Sequence, residues 1–167
     1  LVVNAKDDMF DWTQGYRGTA TNLYGIRESG LDAVTSDPRG IEGDGNLDGL
    51  TPSLTPQSNP TVTNLTIVTN SSAANSMVDA IKIRRGSSAS VTNALVVLGE
   101  NAPTTGDFVD LTDSAGDAAG TTSVNASGTG VDTSKVKPGA NNGTITVPAT
   151  ANTGCASSVF AWTGYTF

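Results

Sequence analysis

The sequence predicts an all-β fold, a right-handed parallel β-helix of short strands and corner loops, and two features of the chain carry that expectation: an internal repeat and a period-two alternation of apolar residues. Three segments share one pattern, Thr19-Ala20-Thr21-Asn22-Leu23, Thr61-Val62-Thr63-Asn64-Leu65 and Ser90-Val91-Thr92-Asn93-Ala94. The first and third also agree upstream at a constant offset of 71, which pairs Asp8 with Asp79, Gly15 with Gly86 and Asn22 with Asn93. The middle copy lies 42 residues after the first and 29 before the third, the spacing of solenoid coils with loops of unequal length.

The alternation excludes helical repeats. Val62-Thr63-Asn64-Leu65-Thr66-Ile67-Val68 and Ala80-Ile81-Lys82-Ile83-Arg84 alternate at period two, whereas a helix needs a longer run at period 3.6. Glycines such as Gly15, Gly30, Gly43, Gly86 and Gly99 punctuate these runs at turns. Strands are expected near 7–12, 19–26, 31–34, 39–42, 61–68, 78–84, 90–98 and 107–111. If coils stack in register, Phe10, Ile41 and Ile81 form an inward column and Asp11, Glu42 and Lys82 the outward column beside it. Asn22, Asn64 and Asn93 then form a structural ladder of amides along the axis, with three separate turn residues as the competing reading.

The chain divides into three parts: coils over 1–111, a Gly/Ser/Thr/Asn-rich stretch of loops or irregular coil over 112–153, and an aromatic terminal strand or cap over 154–167. The middle part is low in complexity, although Thr144-Ile145-Thr146-Val147 near its end alternates as a strand. The last concentrates Phe160, Trp162, Tyr165 and Phe167, suited to capping the solenoid or docking onto another molecule.

Composition narrows the function. Charged residues are 15% of the chain, against about 25% in ordinary soluble domains, so a helical protein with a charge-laced surface is disfavoured. A net charge of −7 argues against nucleic acid as a partner, because phosphate binding needs a dense basic surface. There is no histidine, and Cys155 is the only cysteine, which removes the commonest general base, any internal disulfide and zinc-ribbon spacing. No run approaches the roughly 20 apolar residues of a transmembrane segment. Leu1-Val2-Val3-Asn4 is not a signal peptide, and the abrupt start reads as a mature product or a fragment of something longer.

Asp8-Met9-Phe10-Asp11-Trp12-Thr13-Gln14-Gly15-Tyr16-Arg17-Gly18, Arg39-Gly40-Ile41-Glu42-Gly43-Asp44-Gly45-Asn46 and Asn59-Pro60-Thr61-Val62-Thr63-Asn64-Leu65-Thr66-Ile67 follow one another in an order that resembles the later coils of large bacterial surface proteins, often of lipoprotein type. The likeness covers roughly residues 5–100. It implies a right-handed parallel β-helix and a secreted or outer-surface location, and it transfers no catalytic residue.

Four groups are candidates for a site. Asp44-Gly45-Asn46-Leu47-Asp48-Gly49 has the D-x-N-x-D-G opening of a calcium loop, so Asp44, Asn46 and Asp48, with Glu42 added, are the candidate metal ligands. The twelfth position holds Thr55 where an EF-hand needs a bidentate Glu, and a turn held by its own side chains competes with calcium. Asp7, Asp8 and Asp11 form a second acidic group, in which alternation places Asp7 and Asp11 on one face and Asp8 on the other. Lys82, Arg84 and Arg85 are the basic cluster, readable as cross-coil ion pairs or as the proton-abstracting base of a lyase. Trp12, Tyr16 and Tyr24 are possible glycan contacts, or core and corner aromatics.

The expected function is a non-catalytic structural or adhesive module at the cell surface, self-associating through its ends. A glycan-binding module and a calcium-dependent polysaccharide lyase are the alternatives.

Overall fold

The computed structural model describes residues 1–46, 55–99 and 105–167. Its strands are β1 (Val2–Val3), β2 (Phe10–Trp12), β3 (Thr19–Arg27), β4 (Arg39–Gly43), β5 (Thr61–Thr69), β6 (Asp79–Ile83), β7 (Ser90–Leu98), β8 (Asp107–Asp110), β9 (Ser123–Thr129), β10 (Val136–Lys137) and β11 (Thr144–Thr146). They alternate between two sheets. The odd-numbered strands form one in the order β1-β3-β5-β7-β9-β11, and the even-numbered strands form the other in the order β10-β8-β6-β4-β2. Every ladder between these strands is parallel, so the chain is an all-β parallel β-helix that advances one coil with each pair of strands.

Stacking repeats side chains along the axis. Phe10, Ile41, Ile81, Val109 and Val136 stand in one register row of the second sheet. Ala20, Val62, Val91, Val124 and Ile145 do the same in the first. Ile41, Ile67, Ile81, Ile83, Val91, Val96, Phe108 and Val124 are fully buried between the sheets. Large faces small across this core: a Cβ at Gly40 would lie 2.5 Å from Ile67 Cδ1 and equally close to the Ala80 carbonyl, so only glycine fits there.

The first sheet bends at a recurring corner. Asn22, Asn64 and Asn93 all have left-handed backbone, with φ of 61°, 56° and 53°. Asparagine tolerates that conformation because its short amide hydrogen-bonds locally. The three amides are superposed: Asn64 Nδ2 donates to Asn22 Oδ1 at 2.9 Å and Asn93 Nδ2 to Asn64 Oδ1 at 2.8 Å. The ladder ends there because β7 carries one more residue than β9 between Val91 and Ala94, so the next coil lacks the corner.

Three segments differ from the sequence expectation. Residues 31–34 are loop, tied down by an Asn75 side-chain bond to the Leu31 carbonyl. Residues 112–153 hold β9, β10 and β11, one and a half further coils, of which only β11 matches an expected strand. Their small residues hid the pattern, yet they suit the core: Ala126 is buried and Gly128 leaves room for Phe108 and Val131. The aromatic terminus is a pair of 3-10 turns, Ser157–Thr163, not a strand.

That terminus runs back along the outer face of the first sheet. Asn152 bonds the Ala94 carbonyl and Asn125 Oδ1, and the backbone amides of Thr153 and Gly154 donate to Asn93 Oδ1. Cys155 exchanges two 2.9 Å bonds with Thr66 Oγ1. Phe160 and Phe167 meet Tyr24 edge-on, and the Tyr165 hydroxyl donates to Glu28 at 2.5 Å.

Candidate functional site

The outer face of the second sheet carries the charge. Asp11, Glu42, Lys82, Asp110 and Lys137 occupy successive positions of one row, flanked by core residues, so alternation turns them away from the interior. Arg39, Asp79 and Asp107 form a second row. The two rows are cross-linked: Lys82 reaches Asp110 at 2.7 Å, Arg39 holds Asp79 at 2.9 Å and Glu42 at 2.5 Å, and Lys137 holds Asp107 at 2.6 Å. Arg84 lies between Glu42 at 2.8 Å, Asp44 at 2.7 Å and Asp113 at 3.3 Å. Burial pushes Asp110 up, but hydrogen bonds from Lys82 and Thr112 outweigh it and hold the carboxyl below its ordinary range.

The calcium-loop candidates are divided by this network. Glu42 is shared by Arg39 and Arg84, while Asp44 is gripped by Arg84 and, at 3.1 Å, by Arg85. The Asn46 amide donates to the Pro56 carbonyl at 3.1 Å, and Asp48 lies outside the described residues. A cation bound between Glu42 and Asp44 must displace Arg84 from both.

Asp8, not Asp7, joins Asp11. Carboxylate oxygens of Asp8, Asp11 and Glu42 lie within 4.8 Å of one another, whereas Asp7 accepts a bond from Thr35 Oγ1 at 2.6 Å. Strand alternation separates residues only within a strand, and Asp8 precedes β2, where the chain is still turning. Burial, then the Glu42 charge, pushes Asp8 up to about 7, despite the opposing pull of Arg39. Its Oδ1 is buried and has no hydrogen-bond partner among the described residues. Burial and the charges of Asp44 and Asp7 also raise Asp11. The expected outward column already sets Glu42 beside Asp11, and what the sequence reading misses is Asp8, which it turned to the other face.

Beside the trio the solenoid is open. Strand β2 is the outer strand of its sheet, and β1 pairs with Gly25 and Ile26, so among the described residues the first half of β3 is paired on one side, by β5. A cleft of about 520 Å³ opens there, lined by Met9, Phe10, Asp11, Trp12, Thr13, Tyr16, Ala20, Leu23, Pro60 and Val62. Phe10, Ala20 and Leu23 belong to rows that are covered in the next coils, so the cleft is the solenoid interior laid bare.

The three aromatic candidates go to different places. Trp12 is buried, its Nε1 donating to Ser87 Oγ at 3.1 Å, and presents an edge to the cleft. Tyr16 is exposed at the cleft rim. Tyr24 is covered by Phe160 and Phe167 on the outer face of the first sheet. Sequence reasoning missed that cover, because no local pattern tells a 21-residue reach of chain where to dock.

Among the described residues no helix is long and apolar enough to cross a membrane. No curated protein and no solved structure matches the chain. The family model for a pectate-lyase like beta helix domain matches residues 1–165, nearly the whole coil stack and its covering tail. With parallel strands, stacked rows and this match in agreement, the chain belongs to the pectate-lyase like beta helix domain family.

Proposed function

We propose that the chain is a non-catalytic structural or adhesive β-solenoid module of a secreted or surface protein. The observation that supports this reading is the register of the coils, stacked residue on residue and matched by ion pairs along the outer face of the second sheet. Most of the charge on the second sheet is spent inside the fold, since Glu42, Asp44, Asp79, Asp107, Asp110 and Asp113 all face guanidinium or ammonium groups.

One observation favours a second reading. Asp8, pushed up to about 7, stands beside Asp11 at the cleft wall, and a carboxyl that holds its proton near neutrality is one of the two carboxyls used on glycosidic bonds. Tyr16 would offer a sugar a stacking face, and calcium would have to compete with Arg84 for Glu42 and Asp44.

Turnover separates the two. Neutral and uronate polysaccharides, with and without added calcium, are incubated with the chain and followed for new reducing ends and for unsaturated products. The structural reading expects neither. Product formation that disappears in Asp8→Asn would overturn it in favour of the enzyme.

A further inference from the structure

The outer face of the first sheet carries a two-dimensional array of hydroxyls, and we infer that this array binds ordered water and adsorbs the chain to the surface of ice. This deepens the adhesive reading above, on which it rests, by naming what is held and where.

The array is written in the sequence. Each of the strands β3, β5, β7, β9 and β11 opens on an apolar residue between two small polar ones: Thr19-Ala20-Thr21, Thr61-Val62-Thr63, Ser90-Val91-Thr92, Ser123-Val124-Asn125 and Thr144-Ile145-Thr146. Val62, Val91 and Val124 are buried, so alternation turns the flanking residues outward. Register then stacks Thr19, Thr61, Ser90, Ser123 and Thr144 into one column. Thr21, Thr63 and Thr92 form a second column beside it, which resumes past the extra residue of β7 in Asn125 and Thr146. Neither column holds a charge or an aromatic ring.

Stacking fixes the spacing. Neighbouring strands lie about 4.8 Å apart and residues two apart on a strand about 6.6 Å, so the hydroxyls repeat in two directions over roughly 19 Å by 7 Å. Both repeats are close to those of the water oxygens on a prism face of ice. Threonine is stiff at χ1, which limits how far each hydroxyl strays from its lattice point. The asparagine ladder beside the columns is the kind of device that keeps a many-stranded sheet flat.

The array is also free. Among the described residues, the hydroxyls of Thr19, Thr21, Thr61, Thr144 and Thr146 meet no partner in the chain, and all five side chains belong to exposed residues. Thr92 Oγ1 donates within the array, to Thr63 Oγ1 at 3.3 Å. The returning tail takes one member, Asn125, through Asn152, and otherwise grips Asn93, Thr66 and Tyr24 at and past the corner.

The partner follows from what the face lacks. A soluble glycan needs a concave site, a ring to stack on or a buried polar group to orient it, and the columns supply none of these. Single waters held on such a face lose entropy when they are immobilised, whereas the water of a crystal has already lost it. A surface whose hydroxyls repeat therefore gains most from a partner that repeats with it.

Adsorption to ice tests this directly. The chain and a bystander protein of like size are partitioned against slowly growing ice, and the gap between melting and growth temperatures is read in the same solutions. The chain should be enriched in the ice fraction, and the gap should widen with its concentration. Thr63→Lys sets a bulky charge in the middle of the array and should abolish both effects while keeping the parent's circular dichroism and Tm. Thr21→Lys, one coil away, makes the same test should the first variant fail to fold. Thr133→Lys, exposed outside the array, should leave both effects unchanged. Exclusion of the unsubstituted chain from ice overturns the inference, as does enrichment that survives in folded Thr63→Lys. If the excluded chain instead adsorbs to powdered cellulose or chitin through Thr63, the face belongs to a crystalline polysaccharide. None of these results touches the non-catalytic reading, which stands or falls on polysaccharide turnover.

Discussion

Replacing Asp8 by asparagine should stabilise the protein at alkaline pH and leave it unchanged in acid. Burial and the neighbouring Glu42 charge lift the Asp8 carboxyl from 3.8 to about 7. A carboxyl whose folded value lies above its unfolded one binds more protons when folded. Folding therefore loses stability as pH rises from about 4 to about 7, and the full penalty is present above that window. Each unit is worth about 1.36 kcal/mol, so three units set a ceiling of about 4 kcal/mol. Asp8 is only half-buried, and solvent screening reduces this to about 2 kcal/mol. Asp8→Asn removes the charge and keeps the shape, so at pH 8 the variant should exceed the parent by about 2 kcal/mol, or roughly 4–8 °C in Tm for a domain of this size. Urea titrations at pH 4, 6 and 8 measure the difference, which should shrink to zero at the acid end. A variant less stable than the parent at pH 8 would refute the reasoning, since it would mean that Arg39 and Arg27 outweigh burial and hold Asp8 as a favourable anion.

Three further substitutions probe the other parts of the fold. Asn64→Gly keeps the left-handed corner but removes both ladder bonds of Asn64, for a loss of about 1–2 kcal/mol, and Asn64→Ala should cost about 1 kcal/mol more through backbone strain; equal losses in urea titrations would show that the corner imposes no strain. Arg84→Ala leaves Glu42, Asp44 and Asp113 short of a counter-charge and should cost about 2–4 kcal/mol at pH 7, less at pH 4, where protonation does the work of the guanidinium; a loss independent of pH would implicate packing instead. Phe160→Ala removes the buried anchor of the returning tail and should cost about 2–3 kcal/mol, with faster amide exchange confined to residues 155–167 if the tail docks as a unit.

Legibility followed from how locally each feature is written. The coil stack is written in offsets: Phe10, Ile41 and Ile81 recur at equivalent places, and the register pairs them. The offset of 71 between Asp8 and Asp79 reads through two coils of unequal length, which is why the middle copy appeared displaced. Past Thr112 the same rows continue in Ala126, Ser127 and Gly128, residues too small to register as a hydrophobic pattern although Phe108 and Val131 fill the space at Gly128. The acidic trio was legible only in part, since the outward column set Asp11 beside Glu42 but alternation turned Asp8 away. Its members come from a turn, a strand and the next coil, and only stacking brings Glu42 to Asp8. The same holds for Arg84, whose carboxylate partners lie 29 to 42 positions away in sequence.

The two sheets dispose of their outer faces in different ways. The first sheet is covered by protein: the tail crosses it from Asn125 to Tyr24 and satisfies Thr66 and the end of the asparagine ladder on the way. The second is closed electrostatically, with Arg39, Asp79, Lys82 and Asp110 buried despite their charge because each meets an opposite one. Such pairs are poor sources of stability, because desolvation cancels most of their attraction, but a misaligned neighbour would leave a buried charge alone. They therefore fix the register of coil on coil. That discipline extends as far as there are rows to align, and it stops at Asp11, which meets no cation in its own chain at ion-pair distance among the described residues.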